Sequence, residues 1–316
     1  MIYHALGKTG LTVSRLCFGG LTIGPLQSNR PLAEGAAVIR SALDAGVNFI
    51  DTAELYGTYP YIRKAIANSK NDVIIASKSY AYTYTDMRLS VETACKEIDR
   101  DYVDLFLLHE QSSRMTLKGH ADALSYLCDA KRQGIIRAIG VSTHTIDVVR
   151  AAALMEEIDV IHPIINCKGI GITDGSAREM LAAIDYAALD CGKGIYAMKA
   201  LGGGHLNGMA EEAFAWVLAQ KGISSVAVGM QTIDEVILNT SIFSGQKPDT
   251  ELWNKVSNAP RKLLVEDWCV GCGQCAAHCP MKALSINNSK ACVDAKQCVL
   301  CGYCGAYCPE FCLKII

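Results

Sequence analysis

"GVNFIDTAELYG", residues 46–57, is the stretch from which the fold of most of the chain can be inferred. The run Val47–Ile50 is short and largely apolar, as in a buried strand, and Asp51 follows it directly. Tyr56 comes five residues after Asp51, in what we interpret as the loop beyond the strand. Reactive side chains just after a buried strand are typical of barrels whose chemistry lies at the carboxyl ends of parallel strands.

Seven similar runs lie on either side of this stretch and alternate with segments of helical period. Met87, Val91 and Ala94 share one face of the segment 86–100, and a second segment, 121–133, is followed by Gly134. Eight strands that alternate with helices over about 240 residues predict an α/β fold, a (β/α)8 or TIM barrel. A doubly wound open sheet is the alternative, but no G-x-G-x-x-G motif follows an early strand. The candidate strands are Arg15–Phe18, Val47–Ile50, Val73–Ala76, Asp104–Leu108, Ile136–Gly140, Val160–Ile165, Gly194–Met198 and Ser225–Val228.

The composition limits the classes of partner. The chain has 316 residues, 50% of them apolar, and 30 basic against 32 acidic residues give a net charge of −2. This balance gives no reason to expect a nucleic acid or an anionic membrane as partner. No apolar run reaches the roughly 18 residues that span a bilayer, and the first residues, "MIYHALGKTG", lack the apolar stretch of a signal peptide. We therefore expect a cytoplasmic protein.

The last part of the chain contains two runs of the form C-x2-C-x2-C-x3-C-P. Aligned over eighteen residues from Cys269 and from Cys298, the two runs share ten identities, which indicates an internal repeat. This spacing is that of bacterial ferredoxins with two [4Fe–4S] clusters, in which the fourth cysteine of each run binds the other cluster. Structural zinc is the alternative, but zinc sites prefer C-x2-C pairs separated by a longer gap. The two predicted ligand sets are Cys269, Cys272, Cys275 and Cys308 for one cluster, and Cys298, Cys301, Cys304 and Cys279 for the other.

These patterns divide the chain into three parts. Residues 1–245 would form the barrel, 246–264 a linker, and 265–316 a small α+β ferredoxin-like iron–sulfur domain. Within the linker, Asp249–Asn258 reads as a short helix. A helix that follows the last barrel helix runs back towards the rim where the strands end, so we expect the clusters to lie near that rim. Cys292 and Cys312 fall outside the repeated pattern, and we interpret them as packing residues.

Polar side chains also end the next two strands of the predicted barrel. Lys78 ends the third strand and His109 the fourth, so both should meet Asp51 and Tyr56 at one rim. A nearby ammonium would lower the pKa of Tyr56, Asp51 would orient Lys78, and His109 would bind a substrate oxygen. Taken singly, each residue could instead be a helix cap, a rim charge or a loop residue. Together they suit carbonyl reduction, in which a hydride goes to carbon and a proton goes from Tyr56 to oxygen.

Five segments strengthen this interpretation: "MIYHALGKTGLTVSRLCFGG", "GVNFIDTAELYG", "VIIASK", "DYVDLFLLHE" and "GIIRAIGVST". They resemble the signature segments of the aldo-keto reductase family, and the resemblance extends from residue 1 to about 245. It implies a (β/α)8 barrel closed at the bottom by an N-terminal hairpin, at about residues 2–14. It also implies an NAD(P)H-dependent oxidoreductase acting on a small carbonyl or alcohol substrate. The family's catalytic tetrad falls on Asp51, Tyr56, Lys78 and His109, with Tyr56 as general acid.

The cofactor contacts implied by the resemblance match less well. The nicotinamide contacts fall on Ser142, on Asn166 and on His162, where the family has a glutamine, and a stacking aromatic falls on Met198. "MKALGGG", residues 198–204, resembles the pyrophosphate loop, in which Gly202 and Gly203 let the backbone approach phosphates and Lys199 adds a charge. The alternative is a flexible glycine loop without a ligand.

The adenosine end is the weakest match. The basic positions that grip the 2′-phosphate of NADPH fall on Gly229 and Glu235, while Asn239 remains to meet the adenine. A glutamate would repel that phosphate, which favours NAD(H) or low selectivity between NAD(H) and NADP(H). Alternatively, a positive charge comes from elsewhere in the chain, or nicotinamide binding is weakened. A flavin could also lie at such a rim, but no motif indicates one.

The two parts handle electrons differently, since a hydride carries two electrons and each cluster passes one. Our preferred hypothesis is an oxidoreductase whose two clusters exchange electrons with the barrel site or with a ferredoxin-like partner. In a second hypothesis the protein is an electron carrier that uses the barrel as a scaffold. In a third, it is a reductase whose clusters only stabilise a domain too small to fold without them.

Overall fold

The computed structural model describes residues 1–67 and 72–316. Eight parallel strands close into a barrel, in which the last strand pairs with the first. The predicted barrel is confirmed, and all eight predicted strands overlap the observed ones. The barrel strands are β3 (Leu16–Gly19), β4 (Phe49–Asp51), β5 (Ile74–Ser79), β6 (Val103–Gln111), β7 (Ile136–Thr143), β8 (Val160–Pro163), β9 (Gly194–Met198) and β10 (Ser225–Gly229).

A hairpin closes the amino-terminal end of the barrel. Its strands, β1 (Tyr3–Ala5) and β2 (Thr12–Ser14), pair antiparallel. Leu6, Leu11 and Val13 are buried there and belong to the same apolar cluster as Phe49 and Tyr196 of the barrel interior. The predicted hairpin is therefore present, and it leaves the opposite end of the barrel for chemistry.

Helices surround the barrel and bury their apolar faces against its strands. The N-cap of α3 is Thr83, whose hydroxyl accepts from the Asp86 amide at 3.1 Å, and α3 ends before Asp99, whose φ is 68°. None of the helices in the described ranges combines the length and hydropathy needed to cross a membrane. The helices are α1 (Leu32–Asp44), α2 (Tyr59–Ile66), α3 (Tyr84–Ile98), α4 (Arg114–Gly119), α5 (Ala121–Arg132), α6 (Ile146–Ala153), α7 (Ala177–Asp185), α8 (Ala210–Leu218) and α9 (Ile233–Phe243).

The linker contains the predicted helix, α10 (Thr250–Ser257). Asp249 caps it, because its carboxylate accepts from the Leu252 amide at 2.8 Å. Lys255 pairs with Asp234 of α9 at 2.6 Å, so α10 lies against the last barrel helix. The linker is therefore packed on the barrel along this helix.

The carboxyl-terminal domain is small and built from two similar halves. Gly273 and Gly302, which stand 29 residues apart, precede its two helices with the same φ of 79°, a conformation that favours glycine. The boundary predicted at residue 265 falls within the strand that begins at Leu263. Strand β11 pairs with β14 and β12 with β13, both antiparallel. The elements are β11 (Leu263–Val265), α11 (Gln274–Ala277), β12 (Leu284–Asn287), β13 (Lys290–Val293), α12 (Tyr303–Ala306) and β14 (Leu313–Ile315).

This domain rests on the carboxyl-terminal rim of the barrel, on the loop after β9. His205 of that loop donates from Nε2 to the Leu313 carbonyl at 2.8 Å. Gly204 has a φ of +90°, and a β-carbon there would lie only 2.1 Å from the carbonyl oxygen of Ile315. Position 204 must therefore be glycine for β14 to approach so closely. The small domain lies on the side of the barrel where chemistry is expected, as the linker pattern predicts.

Candidate active site

A buried ion pair between Asp51 and Lys78 forms the base of the site. Lys78 Nζ donates to both carboxylate oxygens of Asp51, at 2.7 and 2.8 Å, and to the Thr52 carbonyl at 2.7 Å. The two residues meet because β4 and β5 are parallel neighbours. Burial disfavours ionised Asp51, but Lys78 and His162 outweigh it and hold the pKa of Asp51 below its ordinary value. All the hydrogen-bonding capacity of Lys78 is thus used, and its position is set.

Tyr56 and His109 face each other beside this pair. Tyr56 ends the short helical turn that follows β4, and His109 lies in β6. Tyr56 Oη and His109 Nε2 are 3.5 Å apart, and Lys78 Nζ lies 5.0 Å from the centre of the Tyr56 ring. A carbonyl oxygen between the phenol and the imidazole could accept a hydrogen bond from both. The structure therefore brings together the four residues that the sequence groups as a proton-transfer set.

Tyr56 does not have the lowered pKa that its proximity to Lys78 predicts. Burial raises the pKa of Tyr56 well above its ordinary value, and the charges of Asp51 and Glu110 raise it further. Two oxygens of Asp51 balance the charge of Lys78, and its ammonium faces the ring of Tyr56. Tyr56 is therefore a phenol that keeps its proton at neutral pH.

Three histidines around the rim are neutral. Burial is the main cause, and it lowers the pKa of His109 and of His144 to about 3 and that of His162 to about 4. The ring of His162 stacks on Tyr196 at 3.8 Å, and its Nδ1 lies 2.6 Å from the Tyr196 carbonyl oxygen. In the part of the chain that the structure describes, Nδ1 of His109 has no hydrogen-bond partner. A neutral imidazole can still donate from one nitrogen, so His109 can bind a substrate oxygen without carrying a charge.

These histidines predict that the folded chain loses stability as the pH falls below about 6.5. Unfolded histidines bind protons near pH 6.5, whereas the folded ones resist protonation down to about pH 4 or 3, so acid favours unfolding. Each contributes a slope of up to about 1.4 kcal/mol per pH unit in that window. We expect His162→Gln to make the free energy of unfolding less dependent on pH between about 7.5 and 5.5 in urea titrations. Parallel curves for the variant and the native chain would contradict this.

A groove of about 460 Å³ starts at these groups and crosses the ends of β9 and β10. Asp51 and Tyr56 line one end, and Asn239 of α9 lines the other. Trp253 of the linker helix and the last three residues, 314–316, also line it. The groove is thus formed by the barrel, the linker and the small domain together.

The nicotinamide contacts implied by the resemblance lie only partly in this groove. Met198 and His162 line it, but Ser142 and Asn166 do not. Ser142 Oγ accepts from a backbone amide of β6 at 2.8 Å. Asn166 spans its own loop, donating to the Ile170 carbonyl at 2.9 Å and accepting from the Ile170 amide at 3.0 Å. Both side chains hold backbone in place in this structure.

The glycine loop after β9 borders both the groove and the small domain. Lys199 and Gly203 line the groove, as the resemblance implies, whereas Gly202 does not. Beside them, Gly204 supports β14. The glycine at position 204 is therefore explained by packing against β14 and not by phosphate binding alone.

Where the resemblance places the adenosine, the groove is lined by Gly229 at the end of β10 and by Glu235 in the first turn of α9. Gly229 packs against Thr22, which a β-carbon would meet at 2.2 Å. The Glu235 carboxylate accepts from the Gln231 amide at 2.5 Å, just before the first turn of α9. A carboxylate thus occupies the helix N-terminus at which a phosphate would be favoured.

The small domain contains two cavities, each lined by four of the predicted cluster ligands. The first is lined by Cys269, Cys272 and Cys275 of one run and by Cys308 of the other. The second is lined by the remaining predicted set, Cys279, Cys298, Cys301 and Cys304. Among the described residues, no three His, Cys, Asp or Glu side chains converge as on a single metal ion. In a four-iron cube, each thiolate binds a different iron, so the ligands surround a cavity, as they do here.

Backbone amides near these cysteines suit cluster binding. The Ala291 amide donates to Cys269 Sγ at 3.4 Å and the Ala283 amide to Cys279 Sγ at 3.3 Å. Such N–H···S bonds stabilise clusters that carry net negative charge. Cys312, interpreted as a packing residue, is buried but also lines the first cavity, with its Sγ 3.4 Å from Cys308 Sγ.

Two residues of the small domain that the sequence analysis missed reach the barrel rim. Phe311 is 2% exposed, and its ring lies 5.7 Å from that of His144. Lys314 of β14 is 3% exposed and lines the groove. A signal for both exists in the repeat, because the matching positions of the first half are Lys282 and Ser285.

Comparison with known proteins agrees with this geometry. The family model described as "Aldo/keto reductase family" matches residues 15–212, which include all four residues of the tetrad. The chain belongs to the aldo/keto reductase family. A second model, a 4Fe–4S binding domain, matches residues 263–285 and thus the first cysteine run. We refer below to the two parts as the reductase barrel and the ferredoxin domain.

Relatives of this aldo/keto reductase include enzymes with named substrates. L-galactose dehydrogenase of Arabidopsis thaliana is 25% identical over 278 residues, which cover 75% of this chain and 86% of the relative. Aldo-keto reductase YhdN of Bacillus subtilis is 31% identical over 177 residues, 50% of this chain and 53% of the relative. A crystal structure of a protein assigned to the aldo-keto reductases from Pseudomonas aeruginosa has a TM-score of 0.66 at 26% identity. It covers 77% of this chain and 95% of its own.

Proposed function

We propose that the protein is a nicotinamide-dependent aldo/keto reductase that interconverts a small carbonyl compound and its alcohol. The observation that supports this most is the convergence of Asp51, Lys78, Tyr56 and His109 beside a groove of about 460 Å³ that Asp51 and Tyr56 line. A reduced nicotinamide bound in the groove would supply the hydride. Side chains of the protein would bind the carbonyl oxygen and transfer the proton.

Tyr56 is the general acid in this proposal. The carbonyl oxygen lies between Tyr56 Oη and His109 Nε2, which are 3.5 Å apart without a ligand and face the same space. As negative charge develops on that oxygen, it takes the phenol proton, while neutral His109 donates a hydrogen bond. Lys78, held by Asp51, presents a positive charge that stabilises the phenolate left behind. Solvent then returns the proton to Tyr56.

The groove fits a dinucleotide without a 2′-phosphate. Asn239 lines the far end, where it could bind an adenine edge. Glu235 is held there by the Gln231 amide, and its negative charge would meet any 2′-phosphate. We therefore propose NAD(H) as the cofactor. Ser142 and Asn166 would contact the carboxamide only after releasing their present backbone partners.

We also propose that the ferredoxin domain holds two [4Fe–4S] clusters. The two cavities with four cysteines each support the swapped ligand sets. Bound clusters would accept or supply single electrons, so exchange with a hydride donor would need a flavin at the barrel rim to convert two electrons into single ones, with the hydride's proton released to solvent. The contact between β14 and the loop after β9 favours exchange with the barrel site over a purely structural role. A ferredoxin-like protein is the proposed external partner.

The test uses cluster-loaded protein, purified without oxygen, and follows its visible absorbance. We expect NADH to bleach the cluster band, and NADPH to do so at least about tenfold more slowly. Glu235→Gln keeps an oxygen that can accept from the Gln231 amide but removes the negative charge. The ratio of the bleaching rate with NADH to that with NADPH should therefore fall severalfold. Faster bleaching by NADPH than by NADH would contradict the assignment of NAD(H) as the cofactor. Arg261, which also lines the groove, would then be the candidate to bind the 2′-phosphate.

An electron carrier with an inert barrel is the second candidate. The interface between the domains is compatible with both an electron carrier and a reductase. Steady-state reduction of carbonyl compounds distinguishes the two. A carrier would exchange electrons with a ferredoxin and show no turnover of any aldehyde. Bleaching by NADH without turnover would favour the carrier, and turnover without bleaching would favour clusters that only stabilise the fold.

A further inference from the structure

We propose that Lys199 and Lys314 form an anion site beside the tetrad and that the carbonyl substrate carries a carboxylate group. This inference rests on the carbonyl reduction proposed above, and it specifies the chemical class of the substrate. Lys199 follows strand β9 of the barrel, whereas Lys314 lies in β14 of the ferredoxin domain. The two domains would thus form one substrate site.

Both lysines line the groove that Tyr56 also lines. Their ammonium groups approach the same ring, that of Phe311, with Nζ of Lys314 at 3.1 Å and Nζ of Lys199 at 5.6 Å from its centre. Lys314 also donates to the Phe311 carbonyl. Phe311 therefore orients two positive charges at the place where the two domains meet.

Neither lysine has an ion-pair partner in the ranges 1–67 and 72–316, where the lysine ion pairs involve other residues. Within the same ranges, the ammonium of Lys199 makes no hydrogen bond. Burial lowers the pKa of both; the charge of Lys199 lowers that of Lys314 further, and the charge of Lys78 lowers that of Lys199 further. Lys314 is buried and Lys199 is partly buried, and positive charges withdrawn from water without an ion-pair partner are unfavourable. An anionic group bound between them would remove that penalty.

The nearest carboxylates belong to Glu110 and Glu266, and neither replaces such a ligand. Glu110 accepts a hydrogen bond from Tyr80, and its other oxygen lies 3.6 Å from His144 Nε2. Glu266 is buried, which raises its pKa, and within the described ranges it forms no ion pair with either lysine. Because these two acids offset part of the positive charge, a singly charged carboxylate is a better match than a phosphate dianion.

The charges that surround Lys199 indicate the substrate end of the groove. The sequence groups Lys199 with the pyrophosphate loop, but the groups that influence its pKa include Glu110, Lys78 and Asp51. These residues lie on β4, β5 and β6, beside the tetrad, whereas the adenosine end lies at α9. Because both lysines line the same groove as Tyr56, we place the carboxylate of a substrate held by Tyr56 between their ammonium groups.

The experiment compares two pairs of carbonyl compounds that differ mainly in charge. These are 4-carboxybenzaldehyde with 4-methylbenzaldehyde, and pyruvate with butane-2,3-dione, each reduced by NADH and cluster-loaded protein. We expect at least one charged member to have a kcat/KM about tenfold or more above its neutral partner. In Lys314→Met this ratio should fall at least about fivefold, and Lys314→Arg should restore most of it. Lys296→Met, an exposed lysine of the same domain, is the control and should leave the ratio unchanged.

A binding measurement separates this inference from the proposed function. Calorimetric titration of the NAD-bound protein with benzoate and oxamate needs no turnover, and Lys314→Met should abolish binding of whichever acid binds. Ratios near one in the native protein, with no acid bound, would overturn the proposal. A second result would also overturn it: in Lys314→Met, an unchanged ratio of kcat/KM between charged and neutral compounds, together with a tenfold loss of NADH affinity. The lysines would then bind the pyrophosphate of the cofactor and not the substrate. Acid binding without reduction of any carbonyl would reject the enzyme assignment and leave the anion site standing.

Discussion

Tyr56→Phe is expected to reduce kcat/KM for carbonyl reduction by on the order of 100- to 10,000-fold. The hydroxyl that faces His109 Nε2 at 3.5 Å is the group placed to deliver a proton, and phenylalanine removes only that oxygen. The phenyl ring would still cover Lys78, so the Asp51–Lys78 pair should stay in place. Steady-state assays with NADH, at several concentrations of aldehyde, give the change directly.

Tyr82→Phe is the matched control, because Tyr82 is 62% exposed in the loop before α3 and lies outside the groove. It should retain native activity, and both variants should show the native cluster absorbance. Equal activity of Tyr56→Phe and the native enzyme would exclude Tyr56 as the general acid. The same result would favour an electron carrier, since single-electron transfer needs no phenol.

Cys308→Ser is expected to remove the cluster of the other cysteine run. Cys308 belongs by sequence to the second run, yet it lines the cavity of Cys269, Cys272 and Cys275. The iron content should fall from about eight to about four per chain, as for Cys272→Ser. Cys292→Ser, which changes a cysteine outside both cavities, should keep the full iron content.

Double variants test the swapped ligand sets more sharply. Cys272 and Cys308 line one cavity, so replacing both should leave about four irons, no fewer than either change alone. Cys272 and Cys301 line different cavities, so replacing both should leave almost none. If Cys301→Ser with Cys308→Ser kept four irons, each run would bind its own cluster and the assignment would be wrong.

The barrel and its tetrad could be predicted from the sequence because both depend on local, repeated signals. Each strand is a short apolar run, and each reactive residue follows such a run at the same end. Parallel pairing then brings Asp51 and Lys78 together with no further information. The pKa of Tyr56 could not be predicted in this way, because it depends on burial and on Glu110, which come from tertiary packing.

The interface between the domains could not be predicted from local patterns. Lys314 reads as a surface lysine in a strand, and only its position in the fold makes it 3% exposed. Asn166 and Ser142 fit the resemblance by position, yet their hydrogen bonds to backbone depend on loop conformations that no motif specifies. The cysteine runs were more informative, because thiolate spacing reflects the dimensions of the cluster itself.

The contact between Gly204 and Ile315 has a consequence for how the family diversified. With 2.1 Å between the carbonyl oxygen and a β-carbon at position 204, any other residue there would push β14 off the barrel. Glycine at this site is therefore favoured twice, by the positive φ of residue 204 and by the ferredoxin domain that packs on it. Across an alignment of aldo/keto reductases, residues other than glycine should be rarer at this position in chains that carry the cysteine runs than in chains that lack them.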